Sequence, residues 1–223
     1  QTYFVDLQWD STESSHHALD YVTSFNRTET TADPCAGITC SGSPAQLAIP
    51  IDSRVTDAGV TQLGSQYFTA IGATFPASGA TVTNTGDLCG TATCSITSNP
   101  CAYGFSGTYA STSKTSTRVY MTATSTTAVL SWGGHIASRM DWGSGNSASA
   151  LAGSPYHMRI LDFACSNVSN CSSGEMDRSL RAAAVILPAS ITIVKQASVE
   201  GSASFAFTAS PSPLVDFSLV DDG

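Results

Sequence analysis

At 223 residues the chain is long enough to bury a proper core, either as one large β-sandwich or as two smaller domains. Charged residues are only 12% of it, about half the usual share, and the net charge is -8. Such a surface has no basic patch to replace phosphate counterions, which argues against nucleic-acid binding and against attachment to anionic membranes.

Serine, threonine, glycine and alanine crowd the sequence, a mixture that favours strands and turns over surface helices. Phe4 to Trp9 and Leu19 to Phe25 read as strands, with the polar stretch Ser11 to His17 between them as a loop or one turn of helix. Leu47 to Ile51 is short and ends on proline, which suits a sheet edge. Tyr67 to Phe75 and Ala80 to Asn84 follow as short strands. Tyr103 to Tyr109, Thr117 to Thr124 and Thr127 to Trp132 then come at near-regular spacing. In the middle one, Val119, Met121 and Ala123 face one way while Arg118, Tyr120 and Thr122 face the other. His157 to Phe163 and Ala182 to Leu187 complete a body whose pattern predicts an all-β, antiparallel sandwich of jelly-roll or immunoglobulin-like type over residues 1–187.

Seven cysteines lie at short hops, and their lysine-poor, hydroxyl-rich surroundings fit an oxidising compartment better than a zinc site. The spacing predicts local disulfides Cys35–Cys40, Cys89–Cys94 and Cys165–Cys171, with Cys101 left over. The chain opens on Gln1 and runs straight into a strand, as a processed secreted protein does, so an extracellular or cell-surface location is expected.

Polar side chains gather most densely between Trp132 and Trp142. Trp132, His135, Arg139, Asp141 and Trp142 fall within eleven residues and form a candidate ligand platform, because aromatic faces stack on sugar rings. The plainer account makes Trp132 a core plug and pairs Arg139 with Asp141 as a brace. Gly133-Gly134 is no phosphate loop, as no lysine follows it. His16 and His17, with Asp10, Glu13 and Asp20, are metal-ligand types, but adjacent histidines on a strand point to opposite faces and chelate one ion poorly. Neither a cofactor nor a metal is expected. With no nucleophile elbow and only four glutamates, Glu13, Glu29, Glu175 and Glu200, an enzyme is not expected either.

After Pro188 the chain alternates again, in Ser190 to Lys195, Ser204 to Thr208 and Leu214 to Val220. Three strands with one apolar face cannot bury that face alone. They complete either the sheet of the body or a neighbouring molecule. The run Ile191-Thr-Ile-Val-Lys195, followed by Phe205-Ala-Phe-Thr208 and Phe217-Ser-Leu219, resembles the opening of prealbumin-like repeats of bacterial surface proteins, pilins and collagen-binding adhesins. By that resemblance Lys195 matches the lysine that forms an isopeptide bond in many such repeats. The expected role is a non-enzymatic structural subunit of a surface filament. It would self-associate by β-strand addition through Ile191, Ile193, Phe205, Phe207, Val215, Phe217 and Leu219, or through the strand near Tyr3 to Trp9. A carbohydrate-binding or host-surface adhesion module is the alternative.

Overall fold

The computed structural model describes residues 1–153, 156–171, 174–179, 204–208 and 216–220. The chain divides into two compact units, Gln1–Leu187 and Pro188–Gly223.

The first unit is all-β, built from antiparallel sheets packed together. Its large sheet is centred on β1 (Thr2–Glu13), flanked by β10 (Ser113–Ala123) and β13 (His157–Cys165). β6 (Ala73–Thr74) and β9 (Gly104–Gly107) extend the β10 side, and β14 (Met176–Ser179) lies outside β13. The facing layer holds a three-stranded sheet in the order β11 (Val129–Ser131), β5 (Tyr67–Ile71), β4 (Ala45–Ala48). Beside it lies a ribbon of β3 (Leu19–Thr23) and β12 (Gly133–Ile136).

Alternation along β1 explains the layering. Val5, Leu7 and Trp9 point to one face and meet Val119 and Met121 from β10, Phe68 and Ala70 from β5, and Leu19 and Val22 from β3. Full burial of each large side chain contributes about 1.5–3 kcal/mol, so this single cluster is the main source of stability. The opposite face of β1 presents Phe4, Asp6 and Gln8. Phe4 packs with Leu88, Cys94 and Ala164 under the hairpin of β7 (Thr81–Thr83) and β8 (Thr93–Ser95), while Arg118 grips Asp6 through two hydrogen bonds of 2.6 Å.

One expectation changes here. Ser11 to His17 is neither loop nor helix: β1 runs on to Glu13, turns at Ser14 and Ser15, and returns as β2 (His16–His17). Both serines have positive φ, 50° and 63°, the backbone pattern of a tight hairpin turn; without the usual asparagine or glycine, the sequence gives no sign of it. The strand near Tyr3 to Trp9, the second candidate for assembly, is hydrogen-bonded on both edges within the body, and Leu7 and Trp9 are wholly buried.

The low charge of the chain has a structural counterpart inside the sheet. Ser11 pairs with Thr115 and Thr12 with Ser113, both at 2.7 Å and both buried, so cross-strand hydroxyl pairs join the ion pairs Arg118–Asp6 and Arg159–Asp10 in holding the sheet. Among the described residues one buried side-chain polar atom lacks a partner, the indole nitrogen of Trp9.

Disulfides join Cys35 to Cys40, Cys89 to Cys94 and Cys165 to Cys171, and Cys101 is free and half-buried. Each closes a loop of five or six residues, so each fixes a local shape and adds only a few kcal/mol. Three such bonds belong to an oxidising, extracellular type of environment. No helix among the described residues is long and apolar enough to cross a membrane.

In the second unit, β15 (Ser204–Phe207) pairs antiparallel with β16 (Phe217–Val220). The register places Phe205 opposite Leu219 and Phe207 opposite Phe217, whose rings stack at 5.0 Å. Four of the expected assembly residues therefore share one face of a ribbon. Ile191, Ile193, Lys195 and Val215, and the strands expected at 182–187 and 190–195, lie outside the described residues.

Candidate functional site

The β3–β12 ribbon carries a polar cluster centred on a buried carboxylate. β12 lies close against β3 because its first two residues are glycines. A side chain at Gly133 would stand 2.8 Å from the Ser24 carbonyl oxygen, and one at Gly134 would stand 2.9 Å from the Met158 methyl. Opposite His135 the register shifts: His135 pairs with Tyr21 and Ile136 with Leu19, leaving Asp20 as a bulge residue. A bulge re-aims side chains. Here Asp20, inside an otherwise apolar strand, turns its carboxylate toward β12 and is fully buried.

Three donors meet that carboxylate. His135 Nδ1 lies 2.8 Å from Oδ1, the Tyr21 backbone N–H donates to Oδ1 at 3.0 Å, and the Trp142 indole N–H donates to Oδ2 at 3.0 Å. The Tyr21 ring stacks on His135 at 4.5 Å and 10°. Trp142 arrives on α2 (Arg139–Trp142), whose start is fixed by Ser138: its hydroxyl accepts from the Asp141 N–H at 3.2 Å and donates to Asp141 Oδ2 at 2.6 Å. Val55, on α1 (Ser53–Asp57), and Val60 close a small apolar cluster over Tyr21 and Trp142.

His17 lies against the other side of Trp142, its ring stacked at 3.4 Å and its edge near Tyr109 at 4.8 Å. Burial pushes its imidazole down from the ordinary 6.5 to about 4, against the opposing pull of the Asp20 charge, so His17 is neutral at pH 7. Burial likewise raises the Tyr21 phenol, and the neighbouring Asp20 charge adds to the effect.

The expected five-residue platform is thus divided. His135, Asp141 and Trp142 meet around Asp20. Trp132 lies between β11 and β12, where its indole N–H points to Met158 Sδ and it lines an apolar groove with Leu130, Ile160 and Met176. Arg139 is exposed, and among the described residues no ion pair joins it to Asp141, which bonds Ser138 instead. The brace once expected between them is replaced by the helix cap.

The histidine pair also separates: His16 Nδ1 meets the Gly145 carbonyl at 2.7 Å, on the other side of the strand from His17. Asp10 takes no part in this cluster, being bound by Arg159 through two hydrogen bonds of 2.6 and 3.2 Å. The residue that sequence reasoning passed over as a centre is Asp20. Its signal was a lone carboxylate in the apolar run Leu19 to Val22.

Comparison of the chain with protein-family models, with curated proteins and with solved structures finds no significant match.

Proposed function

We propose that this protein is a secreted structural subunit whose disulfide-braced body is carried in a surface filament, and whose second unit joins neighbouring copies by β-strand addition. The observation that carries this reading is the β15–β16 ribbon. Among the described residues it is a sheet of two strands, with Phe205, Phe207, Phe217 and Leu219 on one face, and Phe205 is 43% exposed. A two-stranded ribbon is marginally stable alone, and strand edges with an apolar face gain most by pairing with another chain. A head-to-tail contact of that kind does not close on itself and so propagates. The resemblance of residues 190–223 to prealbumin-like repeats supports the same role. The sugar-platform alternative has less support, because one face of Trp142 is covered by His17 and its N–H is bound to Asp20.

Deletion of residues 189–223 tests the reading. Sedimentation of the intact chain should give a concentration-dependent series of large species, and the truncated body should sediment as a folded monomer. Polymers that persist after the deletion overturn the proposal.

A further inference from the structure

We infer that Asp20, His135 and Asp141 form a binding site for a divalent transition ion of the zinc type. One donor atom from each lies within 4.8 Å of the other two, and the three come from β3, β12 and α2. Two carboxylate oxygens and one imidazole nitrogen are a zinc-type donor set; three protein ligands leave a fourth position for water or an exogenous ligand. Donors each about 2.0–2.2 Å from one tetrahedral zinc ion stand roughly 3.3–3.6 Å apart, so His135 Nδ1 and Asp20 Oδ1, 2.8 Å apart, separate by about half an ångström or more to admit it. The ion takes the place of the proton between them, and Asp141, on an exposed helix of four residues, closes from the solvent side.

The charge around the site independently calls for a cation. The Asp20 side chain is completely buried, and a second carboxylate stands within 4.8 Å. Among the described residues neither forms an ion pair with a lysine or arginine, and the ion-pair partner of Asp20 is His135. Asp141 is exposed, so the cost of burial falls on Asp20, and a cation beside that carboxylate offsets it. Each ligand is also held from behind, as metal ligands are: Asp20 by the Trp142 indole and the Tyr21 N–H, Asp141 by Ser138, and His135 by the stacked Tyr21 ring.

The test is calorimetric titration of the intact chain with zinc. The expected result is one ion per chain and a change in tryptophan fluorescence from Trp142. Asp141→Asn, at an exposed position that leaves the core intact, and His135→Gln should each weaken zinc binding at least about 10-fold, and Trp142→Phe about 10- to 100-fold. His16→Gln and His157→Gln should bind as the parent does. Absence of zinc binding, or binding that survives Asp141→Asn and His135→Gln but is lost in the His16 and His157 variants, overturns the inference.

Discussion

His17 displays at the scale of one residue how the fold dictates chemistry. Packed between Trp142 and Tyr109, its imidazole has a pKa near 4, whereas in the unfolded chain it regains its ordinary 6.5. Between those values the unfolded state binds a proton that the folded state refuses. Stability therefore falls as pH drops from 6.5 toward 4, by at most about 1.4 kcal/mol per pH unit from this group. His17→Phe keeps an aromatic ring against Trp142 and removes the proton site. Denaturant unfolding at a series of pH values should give a flatter profile for that variant over this window; equal slopes would contradict the assignment. None of this is legible in the sequence, where His16-His17 reads as a solvated pair, because neutrality comes from ring contacts with residues more than 90 positions away.

At the scale of elements, alternation made the strands readable. β1 and β10 were visible because apolar residues recur with period two on a face that the structure buries, whereas β3 and β13 showed as short, largely apolar runs. The parts that were not visible are those where the period breaks. Examples are the Ser14-Ser15 turn, the bulge at Asp20, and the glycine-led β12. Yet these breaks assemble the site. Gly133 is needed because any side chain there meets backbone and hydroxyl oxygens at 2.8 Å, and neither backbone can retreat without opening the β3–β12 pair. Gly133→Ala should cost about 1–3 kcal/mol in denaturant unfolding. It should also displace His135 from Asp20, read as a shift in the His135 side-chain NMR signals. A variant with parental stability and spectrum would refute the close-approach argument.

For the whole molecule, composition pointed to an all-β body and to an oxidising compartment, and the three disulfides and layered sheets have that character. Two of the five platform residues, Trp132 and Arg139, are close to the others in the chain but set apart in space, Trp132 between β11 and β12 with its indole toward Met158 and Arg139 exposed on α2. Proximity along a chain is a weak guide to proximity in a sandwich, where each successive side chain changes face. The proposed division of labour is a closed body, with its hydroxyl pairs and buried Asp20 cluster, and a second unit with an apolar two-stranded ribbon that acts between molecules. Electron microscopy of the purified intact chain tests that division most directly. The account predicts unbranched filaments with a regular axial repeat. A field of discrete, monodisperse particles at every concentration would contradict it.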